Sequence, residues 1–167
     1  EMFALPGMAD ALAVAGQTDL IVYSRITLAI LPPEARAALL ALCHRVRAKG
    51  GRVAFDGNYR PRLWSSAEDA REARDAAIAC ADIGLPTLED EAALNSSPSL
   101  LGEELSPEAI AQLWTSLGCT ETIVKLGAEG ARLPYGTILP PPQVLHPVDT
   151  SGAGDAFNGG YIAARMN

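Results

Sequence analysis

Uninterrupted apolar runs alternate with apolar stripes at helical spacing along most of this chain. Residues 19–24 read Asp-Leu-Ile-Val-Tyr-Ser, apolar without alternation, which predicts a strand buried on both faces. Pro32-Pro33-Glu34 then opens a helix to about Lys49. Its Ala38, Leu39, Leu42 and Val46 share one stripe, and Gly50-Gly51 stops it. Residues 52–56 form the next expected strand. Ser65 and Ser66, each followed three residues on by an acid (Glu68, Asp69), predict a capped helix to about Ala81. A third strand is expected over 82–86, a short helix over 87–95 and a polar loop over 96–105. Ser106-Pro107-Glu108 caps a helix to about Leu117, and 120–126 is a fourth strand. Residues 131–148 switch to short β-like runs broken by Gly and Pro, with a turn at Tyr135-Gly136-Thr137 and a strand stop at Pro140-Pro141-Pro142. A last helix follows the small residues 151–154. Strands alternating with helices imply an α/β fold, its mainly parallel sheet covered on both faces. No repeat or linker interrupts residues 1–167, so one domain is expected.

Composition narrows the function classes. The chain has 167 residues, 49% of them hydrophobic, enough for a real core and against disorder. Formal net charge is −7 with no long basic run, which argues against nucleic acid as a partner. An anionic ligand would need a local basic group, and Arg60 is the candidate. Cys43, Cys80 and Cys119 are odd in number and widely spaced, so reduced thiols in a cytoplasmic protein fit better than a disulfide framework or zinc site. No apolar stretch reaches membrane-spanning length. His44 and His146 lack metal-ligand spacing.

The most informative stretch is Asp149-Thr150-Ser151-Gly152-Ala153-Gly154-Asp155-Ala156-Phe157. A helix with a glycine-rich first turn is an anion site, because unpaired N–H groups and the positive dipole end converge on one point. A carboxylate inside that site suits a general base that takes a proton from a hydroxyl while the amides hold the phosphoryl group under attack. Each expected strand also ends in polar or special residues: Ser24-Arg25, Asp56-Asn58-Arg60, Pro86-Thr87-Asp90 and Lys125-Gly127. In open parallel sheets ligands bind outside such ends, so one shared cleft is expected. The Arg60 guanidinium suits a carboxylate or phosphate, and the Asn58 amide suits sugar hydroxyls. Asp56 is expected to orient the Asn-Tyr-Arg loop, Tyr59 and Trp64 to pack it, and Arg25 to face solvent. Lys125-Leu126-Gly127-Ala128-Glu129-Gly130 is either a tight hairpin or a close approach to phosphate; no GxxxxGK[ST] loop occurs.

The nine-residue stretch resembles the second signature of the ribokinase family, also called the PfkB carbohydrate kinases. Phe55-Asp56-Gly57-Asn58-Tyr59-Arg60-Pro61-Arg62-Leu63-Trp64 and Leu85-Pro86-Thr87-Leu88-Glu89-Asp90-Glu91 are similar to segments of its 2-keto-3-deoxygluconate kinase branch. The resemblance implies a ribokinase-like three-layer α/β/α fold, and a kinase that moves the ATP γ-phosphate to a terminal hydroxyl of a sugar acid. Asp155 would be the catalytic base, and Gly152, Ala153 and Gly154 the anion hole. Asn58 and Arg60, with Asp155, would bind the sugar acid. Lys125, Gly127 and Gly130, with Gly152 and Gly154, would lie beside the nucleotide. Asp90 or Glu91 would reach Mg2+ through water, where the family has an Asn-x-x-Glu element. Asp149 and Ser151 resemble positions that hold a monovalent cation in some relatives. Family members are longer, with an N-terminal portion and a β-sheet lid, so the chain is expected to be the middle-to-late part of the pattern. A homo-oligomer is compatible with it. A fructokinase or ribokinase of the same family stays open, as does a non-catalytic sugar-acid or nucleotide sensor; a Rossmann oxidoreductase is disfavoured because no GxGxxG follows an early strand.

Overall fold

The computed structural model describes residues 7–95, 105–142 and 148–166. The expected loop over 96–105 lies almost wholly outside them, and so does His146. Helix α1 (Met8–Ala15) leads into strand β1 (Leu20–Ser24). Helices α2 (Arg25–Ile30) and α3 (Pro33–Ala48) follow, then β2 (Arg52–Asp56), α4 (Ala67–Ala79) and β3 (Ile83–Leu85). After β3 come α5 (Leu88–Asn95), α6 (Pro107–Ser116) and β4 (Glu121–Thr122). The order then runs β5 (Val124–Lys125), β6 (Ala131–Arg132), β7 (Ile138–Leu139) and α7 (Ala153–Met166).

Strands β1-β2-β3-β4 form a parallel sheet in chain order. Because the order never reverses, right-handed crossovers stack α3, α4 and α6 on one face. There Cys43, Ala77, Ile78, Ile110 and Trp114 bury Tyr23, Val53 and Phe55. Phe55 stacks between Tyr23 and Trp114, with centroids 5.2 and 5.6 Å away. On the opposite face Ala54, Ile83, Leu85 and Ile123 pack against Ile162, Phe157 and Tyr161 of α7. Period-two alternation thus sends neighbouring residues of β2 into different cores, which is why the strand reads as apolar throughout.

The helix starts follow their caps. The Ser66 hydroxyl accepts from the Asp69 amide (3.0 Å) and the Ser106 hydroxyl from the Ala109 amide (3.1 Å). Of the two overlapping capping boxes read at Ser65 and Ser66, only the Ser66 cap forms, while the Ser65 hydroxyl donates to the Asp69 carboxylate (3.0 Å). Helices α1 and α2 have no counterpart in the sequence reading; α2 starts immediately at the end of β1, where Ser24 both closes the strand and caps the helix, its amide donating to the Thr27 hydroxyl (3.4 Å).

The expected fourth strand is divided. Amides of Glu121, Ile123 and Lys125 donate in turn to Asp82, Gly84 and Pro86 carbonyls, so the segment does run along β3. Its first half, β4, completes the parallel sheet. Its second half, β5, pairs antiparallel with β6, and β6 with β7, in a small second sheet. The Tyr135-Gly136 turn closes that hairpin through Leu133 N–H to Thr137 O (2.8 Å). The three cysteines are free and buried. Among the described residues no helix is long and apolar enough to cross a membrane.

Candidate active site

The carboxyl ends of β2, β3 and β5 and the start of α7 open onto one cleft of about 820 Å³. Its walls include Asp56, Asn58, Arg60, Thr87, Asp90, Lys125, Gly127, Gly130 and the run Thr150 to Asp155. Segments up to about a hundred residues apart in sequence therefore meet at one place, as the strand-end pattern requires. A second cleft, about 610 Å³, lies along β1 and the flank of α7 and shares Asp56 and Asp155 with the first. Asp155 stands on the wall between them.

Local backbone chemistry shapes the α7 end. The Asp149 carboxylate accepts the Ser151 amide (2.8 Å), which holds its carboxyl below the ordinary Asp range. Gly152 then takes φ +75°, a left-handed turn that a side chain would strain. The Ala153 amide donates back to Thr150 O (3.1 Å). This corrects one expectation: the Ala153 N–H is drawn into the turn, and the amides without a partner among the described residues are those of Gly152, Gly154 and Asp155. A tight turn before a helix consumes one donor in closing itself, so the unpartnered set loses Ala153 and gains Asp155.

Beneath that turn lies Lys125. Its ammonium donates to Asp56 Oδ1 (2.8 Å) and to Asn158 Oδ1 (3.2 Å), and lies 3.8 Å from where a Cβ on Gly154 would sit. Asp56 is therefore tied to Lys125, instead of orienting the Asn-Tyr-Arg loop. Asn158, which the sequence reading did not single out, supports Lys125 from α7 and lines the second cleft; its signal is its place three residues after Asp155, on the same helix face. Past Lys125 the chain turns at Gly127 and Gly130. At Gly130, φ is +98° and a Cβ would run into the Leu139 carbonyl, so the close approach of β7 demands glycine there.

The loop after β2 forms the other wall. Tyr59 is buried with Ala70 and Leu94, and Trp64 packs beside it. The Tyr59 amide donates to Asp90 Oδ2 (3.2 Å), and its carbonyl accepts Arg60 Nη1 (2.9 Å). Arg60 also approaches Asp90 Oδ1 at 3.6 Å while its side chain stays 55% exposed, leaving most of its N–H fork for the cleft. Burial pushes the Asp90 carboxyl up, against the pull of the Tyr59 amide, Arg60 and Arg25. The Asn58 side-chain oxygen is buried and meets no donor among the described residues.

Two expectations fail at Glu91 and Arg25. Glu91 is fully buried, and its carboxylate accepts from Arg25 and from Arg74 Nη1 (2.9 Å), so it is withdrawn from any metal. Arg25 is fully buried as well, with its guanidinium over the Tyr59 ring. The acid-rich α5 start concealed the difference: Asp90 faces the cleft, and Glu91 the core. Among the described residues no three His, Cys, Asp or Glu side chains gather as metal ligands. Glu89 and Asp90 reach the cleft singly, which suits a magnesium ion held mainly by phosphate oxygens and water.

Residues 3–167 match the family model described as "pfkB family carbohydrate kinase". The chain belongs to the PfkB carbohydrate kinase family. It is 39% identical to a 2-dehydro-3-deoxygluconokinase of Dickeya dadantii over 157 residues, 90% of this chain and 48% of that protein. A 2-dehydro-3-deoxygluconokinase of Haemophilus influenzae is 36% identical over 163 residues, 94% of this chain and 49% of its own length. Among solved structures, aminoimidazole riboside kinase from Salmonella enterica, complexed with aminoimidazole riboside and an ATP analogue, superposes with a TM-score of 0.71 at 33% identity, covering 84% of this chain and 45% of that one. A PfkB protein from Polaromonas sp. JS666 gives 0.70 at 32% identity, over 93% and 49% of the two chains. The chain thus spans about half the length of the PfkB relatives it matches.

Proposed function

We propose that this chain carries the phosphoryl-transfer centre of a kinase that phosphorylates a sugar acid from ATP, with 2-keto-3-deoxygluconate yielding its 6-phosphate. One observation carries the reading: the free amides of the α7 turn, the Asp155 carboxylate and the Asn58–Arg60 loop face one cleft. The 2-dehydro-3-deoxygluconokinases among its relatives favour the sugar acid over a neutral sugar.

In this mechanism Arg60 pairs with the substrate carboxylate and Asn58 accepts a hydroxyl, fixing the sugar so that its terminal oxygen lies against Asp155. Asp155 takes the hydroxyl proton as the new oxygen–phosphorus bond forms and the bond from the γ-phosphorus to the bridging oxygen breaks, so that ADP leaves with that electron pair. The Gly152, Gly154 and Asp155 amides and the α7 dipole stabilise charge on the transferring group. Gly127 and Gly130 let the backbone come close to the nucleotide. Magnesium, when bound with ATP, would offset charge on its phosphates, with Asp90 in reach through water. Phosphoryl transfer is mostly positioning and charge stabilisation, which a short set of groups such as this one can supply.

The test is a coupled ATP-consumption assay on the intact protein with 2-keto-3-deoxygluconate, gluconate, fructose and ribose. Preference for 2-keto-3-deoxygluconate supports the reading; preference for a neutral sugar moves the protein to another branch of the family. Asp155→Asn should lower kcat at least about a hundredfold with substrate binding kept. Unchanged turnover would remove Asp155 from the role of base.

A further inference from the structure

The Arg25–Glu91–Arg74 cluster lies behind the cleft, outside its walls. Arg25 stands at the first position of α2, fully buried, and one of its Nη groups donates to Glu91 Oε1. Glu91 Oε2 accepts Arg74 Nη1 from α4 at 2.9 Å. Arg74 also meets the partly exposed Asp75 through Nε (2.8 Å). The Arg25 Nε and Nη1 atoms are buried with no acceptor among the described residues. As a source of stability this is a poor arrangement. A buried ion pair seldom exceeds an apolar filling of equal volume, and unpaired buried donors weaken it further.

What Arg25 touches is more telling. Its guanidinium carbon lies 5.4 Å from the Tyr59 ring centroid. The backbone of Tyr59 joins the cleft wall: its amide binds Asp90 and its carbonyl binds Arg60. Glu91, gripped from the other side, is the chain neighbour of Asp90. One cation therefore presses on the ring of the loop and anchors the helix that supplies the loop's carboxylate. We propose that Arg25 is a positioning residue for the sugar-acid loop, setting the Arg60–Asp90 pair through Tyr59 and Glu91 without touching substrate. The inference rests on the sugar-acid reading above for its kinetic consequence, but not for its structural one.

Arg25→Met keeps the side-chain volume and leaves Glu91 paired with Arg74, so it does not strand a buried carboxylate. In the intact protein it should raise KM for the sugar acid about tenfold or more, since small misplacements of a binding group are costly, while KM for ATP stays within about twofold. Arg25→Lys, which keeps the charge but loses the planar fork, should fall between. Hydrogen–deuterium exchange should speed at the amides of Asn58, Tyr59, Arg60 and Arg62 in Arg25→Met and stay unchanged at 120–126. The idea is overturned if exchange at Asn58, Tyr59, Arg60 and Arg62 is unaltered, or if both KM values rise together with a fall in Tm, as a general packing defect would give. Should Arg25→Met not fold, the same two readouts on Arg25→Lys decide. If the wild type does not turn over 2-keto-3-deoxygluconate, the substrate reading fails, and the exchange result alone tests the role of Arg25.

Discussion

Lys125 shows how one side chain can tie a site together. It sits at the end of β5 with its ammonium nearly buried, its side chain 11% exposed against 7% for Asp56. It reaches two other elements, Asp56 at the end of β2 and Asn158 in the second turn of α7. A buried charge is tolerated only when paired, so breaking the pair from one side should destabilise the fold. Lys125→Met should lower unfolding stability by about 3–5 kcal/mol, because Asp56 is left buried and alone. The double variant Asp56→Asn with Lys125→Met should recover most of that loss, since neither charge remains. Chemical denaturation of the four proteins closes the cycle; a double variant as unstable as the single one would show that Lys125 acts by packing and not by charge.

At the scale of elements, α7 is fixed at both ends. Its first turn rests on Lys125, and its last turn is tied to β4, where Arg165 donates twice to Glu121 (2.7 and 2.8 Å) and the Tyr161 hydroxyl donates to the same carboxylate. Arg165 foremost, opposed by burial and helped by Tyr161, holds the Glu121 carboxyl below its ordinary 4.5. A carboxyl depressed in the folded state adds stability above its unfolded value and loses it as pH falls through the folded one. Glu121→Gln should therefore lower Tm at neutral pH, and the gap to wild type should close as pH drops below 4.5. A gap that stays constant with pH would mean that the ionised pair contributes nothing. The same elements show what the sequence could reveal. Helix α7 and its glycine turn were legible because their chemistry is local: dipole, small residues, acid. The strands were legible as continuous apolar runs, and at β2 and β3 those runs do mark burial; at β1 the expected burial on both faces fails, because Val22 stays half exposed along the second cleft. The fate of 120–126 was not, since nothing in its own residues says that two sheets share it. Nor was the opposite facing of Asp90 and Glu91, which depends on Arg25 and Arg74, 66 and 17 residues away in sequence. A lone Arg after a strand reads as a surface residue until its buried partner is known.

For the whole molecule, the decisive feature is that the cleft belongs to no single element. Loop 57–60, the start of α5, the end of β5, the β6–β7 hairpin and the first turn of α7 each supply part of its wall. The two cores beneath it share the β2 strand, with Phe55 in one and Ala54 in the other. A ligand held across this cleft joins segments far apart in the chain, so binding stabilises the folded state as a whole. Linkage fixes the size: a ligand at a hundred times its Kd adds about 2.7 kcal/mol, and for a chain of this length each kcal/mol moves Tm by roughly 2–4 °C. A non-hydrolysable ATP analogue with magnesium should thus raise Tm of the intact protein by about 5–11 °C at that concentration. Asp155→Asn should keep the shift, since the amides proposed to hold phosphate remain. Gly152→Ala should shrink it, because a side chain at φ +75° strains the turn that presents them. A saturating analogue that leaves Tm unmoved, or a shift untouched by Gly152→Ala, would show that the nucleotide is held somewhere other than the α7 turn.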